Sequence, residues 1–415
     1  MNFLYNIAIN IAGFLLKILA VFNIKIKLFV NGRKNIFQKL KLHFIDNENV
    51  IWFHCASLGE FEQSRPIIEK LKIQYPEYKI ILTFFSPSGY EIRKDYAFAE
   101  VVSYLPLDTR RNAKKFIEIV NPKIAIFVKY EFWPNILNEL KSKEIETILV
   151  SGIFRKDQAF FKWYGSWMKN SLLAFSHFFV QDESSKILLN DIGFKNITVS
   201  GDTRFDRVFE ITQQDNYLEF IEKFTIDKQT IVAGSTWSKD EEFLINYINN
   251  QASDIERYII APHNINPKDI EALKKSIVKK TILFSDKDKE NNINAQVLII
   301  DSIGLLTKVY SYASIAYVGG GFGTGIHNIL EPATFGVPII IGPNHQKFNE
   351  AKELIDSAAC QVVHNASELS STLRALLNNK QTINIKGTIA REYILKNTGA
   401  TQKIIDHLKE YISRN

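Results

Sequence analysis

The chain is poor in cysteine, and the two it has are far apart. Cys55 and Cys360 offer neither a disulfide framework nor the spacing of a zinc site, which points to a reducing compartment. No aspartate motif suggests a metal-bound nucleotide, and no metal or cofactor is expected. Repeats, low-complexity segments and long linkers are absent, which excludes solenoids and extended tails. Neither sign of charge dominates: 51 Lys and Arg against 45 Asp and Glu leave a net charge of +6. So mild a basicity favours anionic partners without choosing between an acidic membrane, a phosphorylated lipid and nucleic acid. No RNA-recognition motif accompanies it, so no nucleic-acid partner is expected.

Only one long apolar run occurs. Phe3 to Phe22 is broken by Asn6, Asn10 and Lys17 and followed by Lys25, Lys27, Arg33 and Lys34. No charged region precedes it and no small-residue cleavage site follows, which favours an uncleaved anchor over a signal peptide. Its length is near the ~20 residues needed to span a bilayer. Lys17 would then have to snorkel, so a helix lying in the interface is the alternative and a buried core helix the plainest reading. If the run spans, the basic residues after it place the rest of the chain in the cytoplasm.

What is present beyond it reads as two α/β domains, because 415 residues exceed one ordinary core and 46% hydrophobic content is globular. Short apolar strands (Val50–His54, Lys79–Phe84, Val101–Leu105, Lys123–Val128, Phe178–Val180) alternate with helical patterns. The alternation resumes with Ile231–Thr236, Tyr258–Ala261 and Val297–Asp301. Between Tyr317 and Phe348 a strand runs into Gly319, Gly320 and Gly321, then Gly323 and Gly325, and a helix is expected after them. Glycines at such a turn let backbone N–H groups approach a phosphate, and the helix N-terminus adds orphan donors. Ordinary turn structure is the competing account of the glycines. Glu331 would repel a bare phosphate, which points to a nucleotide held through its sugar as well.

In the first half the Val50 strand leads into Ala56-Ser57-Leu58-Gly59-Glu60. A carboxylate at the carboxyl end of a strand can act as a general base, or can simply compensate a helix dipole. Glu131-Phe132-Trp133-Pro134-Asn135 follows another strand directly, where Pro134 and Trp133 also suit a helix start and a packing anchor. An aromatic and basic run, Phe160, Phe161, Trp163, Tyr164, Trp167 and Met168 with Arg155, Lys156, Lys162 and Lys169, suits a lipid-facing surface, with at least half of its aromatics in the core.

The string GGGFGTGIHNILEPATFGVPIIIGP resembles the donor-site signature of the 3-deoxy-D-manno-oct-2-ulosonic acid (Kdo) transferases. HCASLGE and E-F-W-P-N resemble further motifs of that family, and the similarity runs from about Lys27 to Glu353. The resemblance implies a GT-B fold, two Rossmann-like domains facing a central cleft, with an N-terminal membrane-anchor helix. It implies an inverting glycosyltransferase moving Kdo from CMP-Kdo to the lipid A precursor (lipid IVA) on the cytoplasmic face of a bacterial inner membrane, working as a monomer. Glu60 would be the general base, with Glu131 assisting. Ser57, Gly59, Ser86, Ser88, Gly89 and Trp133 would line the acceptor side. Ser235, Thr236, His263, Gly319, Gly320, Gly321, Gly325, His327, Asn328, Glu331 and Asn349 would hold the donor.

The departures are Asp202 and Arg204 in place of the family's asparagine and lysine, and an Asn264 loop beside His263 without the family's arginine. The expected domains are an anchor over 1–25, an acceptor domain over 26–207, a donor domain over 208–395 and a final helix over 396–415 packing back on the first. The rival readings are another GT-B enzyme using a UDP-sugar, transferase or epimerase, and a non-enzymatic membrane-associated nucleotide binder.

Overall fold

The computed structural model describes residues 2–44, 49–163, 165–288 and 292–414, and it divides into two compact units. Unit 1 comprises Met1–Arg207 with Thr398–Asn415, and unit 2 is Val208–Asn397. Tyr164 of the aromatic run lies outside the described residues.

Unit 1 is built on seven parallel strands: β1 (Val50–Cys55), β2 (Lys79–Phe84), β3 (Val101–Tyr104), β4 (Ile124–Val128), β5 (Glu146–Gly152), β6 (His177–Val180) and β7 (Ile197–Val199). Their order across the sheet is β3-β2-β1-β4-β5-β6-β7. Alternation along each strand divides the core between the two faces. Val50 and Trp52 join one buried cluster with Phe127 and Phe178, while Ile51, Phe53 and Cys55 join the other with Leu82 and Ile126. A parallel sheet covered on both sides reads as continuous apolar sequence, which is why these strands have so few polar residues.

The second unit repeats the plan. Its strands are β8 (Gln229–Thr236), β9 (Glu256–Pro262), β10 (Thr281–Leu283), β11 (Val297–Ile299), β12 (Ile315–Val318), β13 (Ile339–Ile341) and β14 (Cys360–Val362). They lie in the order β10-β11-β9-β8-β12-β13-β14, all parallel. In each sheet the order reverses once beside the first strand, between β1 and β4 and between β8 and β12. Ligand crevices of open α/β sheets lie outside the carboxyl ends of the strands at such a reversal.

The amino-terminal run departs from a spanning anchor. It forms the helix Asn2–Leu19, and among the described residues no helix is long and apolar enough to cross a membrane. Asn6, Asn10 and Lys17 interrupt its apolar surface. One side of it lies on unit 1, where the Tyr5 hydroxyl donates to Asp108 Oδ2 at 2.8 Å and Asn135 Nδ2 donates to Asn6 Oδ1 at 3.0 Å. Phe3, Ile7, Phe14 and Ile18 stay exposed, as do Val21, Phe22 and Ile24 beyond it.

The helix Ala400–Arg414 belongs to unit 1, with Ile404, Ile405 and Leu408 buried in the cluster that holds Phe53 and Leu71. Asp206 fixes its start, accepting the Gly399 and Thr401 N–H groups at 2.5 and 2.6 Å. Leu408→Ala is therefore expected to remove about 3 kcal/mol from the unfolding of unit 1. The same change at exposed Lys409 is expected to cost less than about 0.5 kcal/mol. Calorimetric unfolding of the two variants measures the difference.

Candidate active site

In unit 1 the reversal between β1 and β4 brings two acidic side chains out of the sheet's carboxyl edge. After Cys55 the chain turns through Ala56 and Ser57 into the helix Leu58–Gln74, whose first turn carries Glu60. Ser57 N–H donates to Glu60 Oε2 at 2.9 Å, which orients the carboxylate back toward the strand end. Glu60 is only 8% exposed. Burial pushes its carboxyl up to about 7 and the charge of Glu131 adds to the effect, while the Ser57 and Ala56 backbone donors and Lys129 work the other way. A carboxylate so tuned can take a proton from a bound hydroxyl near neutral pH.

Glu131 follows β4, in a loop that begins with Lys129 in the left-handed region (φ 59°) and ends where Pro134 opens the helix Pro134–Ser142. Its Oε2 accepts the Trp133 indole N–H at 2.8 Å and stands 3.1 Å from His54 Nε2. His54 is fully buried on β1, with its Nδ1 2.9 Å from Thr83 Oγ1 and 3.2 Å from the Thr83 carbonyl. The turn after β2 comes alongside, because Phe85 and Trp133 pack with ring centroids 4.6 Å apart. Ser86 accepts from Ser88 N–H at 3.2 Å and caps the helix Pro87–Arg93, and Gly89 leaves room for the Phe84 ring. Ser57, Ser86 and Trp133 thus lie in the loops at the carboxyl ends of β1, β2 and β4, and Gly59, Ser88 and Gly89 lie in the first turns of the helices that follow β1 and β2.

In unit 2 the glycine loop is longer than a direct turn into a helix. It occupies 319–329, and the helix that follows, Leu330–Thr334, has only five residues. The helix expected after the glycines is present but short, and the N–H groups of Gly319, Gly320, Gly323, Gly325 and His327 before it are already donated to acceptors within the unit. What shapes the loop is Asp240, 1% exposed, which accepts the Tyr317 hydroxyl at 2.6 Å and the Gly320 and Trp237 N–H groups at 2.9 Å each. Gly320 has φ 91°, and Gly321 packs so closely on Gly342 that a Cβ would meet its backbone at 2.6 Å. Neither position accommodates another residue without a shift.

Ser235, His327, Asn328 and Glu331 line one cavity of about 240 Å³ with Thr307 and Tyr310. Glu331 accepts from Thr307 Oγ1 and from Asn328 Nδ2, both at 2.9 Å. His263 stacks on His327 with ring centroids 4.5 Å apart, and Trp237 stacks on His263 at the same separation. The Trp237 indole donates to His327 Nε2 at 3.0 Å, which leaves the proton of a neutral ring on Nδ1. Burial, with His263 beside it, holds His327 below the ordinary histidine range. Thr236 is not among the lining residues of this cavity: its hydroxyl is buried and donates to Glu241 at 3.0 Å. Asn349 is exposed at the start of the helix Asn349–Asp356 and is not among them either.

Sequence reasoning passed over His54, Trp237 and Asp240. His54 stands inside HCASLGE, where its place beside the glutamate was a usable signal; Trp237 and Asp240 carry none that spacing reveals. Among the described residues no group of three or more His, Cys, Asp or Glu side chains could hold a metal ion.

Residues 33–207 match the family described as 3-deoxy-D-manno-octulosonic-acid transferase (kdotransferase). The 3-deoxy-D-manno-octulosonic acid transferase of Aquifex aeolicus is 30% identical over 360 residues, 85% of this chain and 92% of that one. Its Haemophilus influenzae counterpart is 27% identical over 385 residues, 88% of each chain. Among solved structures, UDP-GlcNAc 2-epimerase from Neisseria meningitidis superposes with a TM-score of 0.61 at 13% identity, covering 87% of this chain and 100% of that one. The MurG structure from Acinetobacter baumannii gives 0.55 at 14%, covering 88% and 99%. These neighbours establish the GT-B fold and nothing finer. Identity at the 30% level across most of both chains decides more: this chain belongs to the 3-deoxy-D-manno-octulosonic acid transferase family.

Proposed function

We propose that the protein is an inverting glycosyltransferase that moves Kdo from CMP-Kdo to a sugar hydroxyl of the lipid A precursor, lipid IVA, at the cytoplasmic face of a bacterial inner membrane. The observation that carries the reading is Glu60, a buried carboxylate at the end of β1 with its carboxyl pushed up to about 7. Glu60 takes the proton of the acceptor hydroxyl as that oxygen forms its bond to the anomeric carbon of Kdo. The bond from that carbon to the phosphate oxygen breaks on the opposite side, and CMP departs. The Ser235 hydroxyl stabilises the phosphate, while Glu331 and Asn328 take the ribose hydroxyls.

The acceptor is assigned to unit 1 because its amino-terminal helices form a wide apolar recess with a basic rim. A cavity of about 850 Å³ is lined by Leu16, Val21, Phe29 and Phe37, with Lys17, Lys27, Arg33 and Lys34 among its walls. Acyl chains and phosphate groups are the chemistry such a recess suits. The exposed apolar side of the helix Asn2–Leu19 supports a surface-lying attachment to the membrane rather than a span.

Incubation with CMP-Kdo and a tetra-acylated lipid A precursor is expected to give product heavier by one or more Kdo units in the mass spectrum, and UDP-sugars are expected to give none. Turnover of UDP-GlcNAc without Kdo transfer would favour the epimerase-like reading. The base must be ionised to act, so kcat/KM should rise about tenfold per pH unit up to about pH 7 and level above it. A flat profile between pH 5 and 8 contradicts Glu60 as the base. For attachment, co-sedimentation with anionic vesicles is expected to fall at least tenfold in Phe14→Asp/Ile18→Asp, with little change in thermal stability, since both side chains are exposed.

A further inference from the structure

Trp237 carries a firmly held indole, and the proposed chemistry gives that ring nothing to do. It stands just past β8, two residues after Ser235, at the carboxyl edge of the second sheet. Its backbone N–H is taken by the buried Asp240 carboxylate at 2.9 Å. Its indole N–H donates to His327 Nε2 at 3.0 Å, and the two rings lie 11° from parallel with centroids 6.4 Å apart. That is the separation of rings joined edge to edge, so they continue one plane. His263 lies across their junction, its centroid 4.5 Å from each ring and its plane tilted by 19° and 27°. The His263 N–H donates to the Thr236 carbonyl at 2.9 Å, which fixes this third ring as well.

For all these contacts Trp237 remains 41% exposed. A lone exposed apolar side chain calls for no explanation. A tryptophan whose backbone, nitrogen edge and one ring face are already held is different, because a ligand that packs on it immobilises no further side chain. Its surroundings say which ligand. His327 and Ser235 are walls of the cavity of about 240 Å³ in which the nucleotide is placed, and that volume is no larger than a nucleoside monophosphate needs. Whatever sugar hangs on the phosphate must lie outside the cavity, beside Ser235, and the aromatic plane that continues from His327 is the surface there.

We infer that Trp237 is a platform for the sugar of the donor, with the C–H face of the Kdo ring lying on the exposed part of the indole while its phosphate reaches Ser235. The inference rests on the reading of that cavity as the CMP site. Ring C–H groups laid on a large aromatic face gain by dispersion and by leaving water, and no charge is needed. Trp237 thereby recognises the sugar and not the nucleotide.

The test separates those two contacts. Full-length wild type, Trp237→Phe and Trp237→Ala are compared; both variants lose the hydrogen bond to His327, and only the phenylalanine keeps a ring. CMP binding is measured by calorimetry, and the KM for CMP-Kdo, generated in situ, by transfer to the lipid A precursor. From the phenylalanine to the alanine variant the KM is expected to rise about tenfold while the Kd of CMP changes by less than about twofold. Equal KM values in the two variants overturn the inference. So does a CMP affinity that falls as far as the KM rises, which makes Trp237 a nucleotide contact or a prop for the loop. A wild type that binds no CMP overturns the reading of the cavity and the inference with it, before either variant is compared. Should the alanine variant fail to fold, ¹⁹F NMR of the wild type labelled with 5-fluorotryptophan decides. The Trp237 resonance, identified by its absence from Trp237→Phe, is expected to shift further with CMP-Kdo than with CMP, and equal shifts overturn the inference.

Discussion

A strand buried on both faces can present reactive side chains only where it ends. Both units of this chain depend on that constraint. The strands pack against helices on either side, so acids, hydroxyls and glycine loops collect at the carboxyl edge, and the reversal of strand order opens a crevice there. In unit 1 that edge carries Glu60 and Glu131; in unit 2 it carries Ser235 and the 319–329 loop. On the function proposed, the repeated plan separates two tasks that a single sheet would have to combine: proton abstraction in one unit, recognition of an anionic leaving group in the other.

The chemistry of the first unit turns on how much negative charge a dry pocket can hold. Glu60 is raised by burial, which a general base working near neutral pH requires, yet a second ionised carboxylate nearby would raise it further and keep it protonated. His54 and Trp133 give Glu131 its partners, and the charge of Glu131 is the second cause, after burial, that raises Glu60. In the second unit the corresponding constraint is geometric. Asp240 gathers Tyr317, Gly320 and Trp237 and so ties the glycine loop to the helix after β8, while Trp237 in turn fixes the proton of His327.

The strands were legible because their apolar runs are continuous, as at Val50–Cys55 and Ile124–Val128. β10 and β14 were not, since Thr281–Leu283 and Cys360–Val362 are three-residue edge strands too short to establish a period. The glycines at 319–325 were readable as a loop, but its length was not: nothing in the composition of 324–329 separates a loop from the first turn of a helix. Glu60 and Glu131 were visible as acids after strands. Their partners were not, because a hydrogen bond from His54 to Thr83 or from Tyr317 to Asp240 depends on the register of strands far apart in sequence. Asn6, Asn10 and Lys17 were the sign that the amino-terminal run lies along the protein. Its length masked that sign.

The claim on which the rest depends is that Glu60 accepts the proton of the acceptor hydroxyl. The most direct measurement compares Glu60→Gln with the wild type in Kdo transfer from CMP-Kdo to the tetra-acylated lipid A precursor, after the variant's fold has been checked by its unfolding transition. The predicted result is a kcat lower by about 10²–10⁴-fold with the KM for CMP-Kdo little changed, since the amide fills the same space but cannot take a proton. A folded variant that transfers Kdo within a few-fold of the wild-type rate would contradict it.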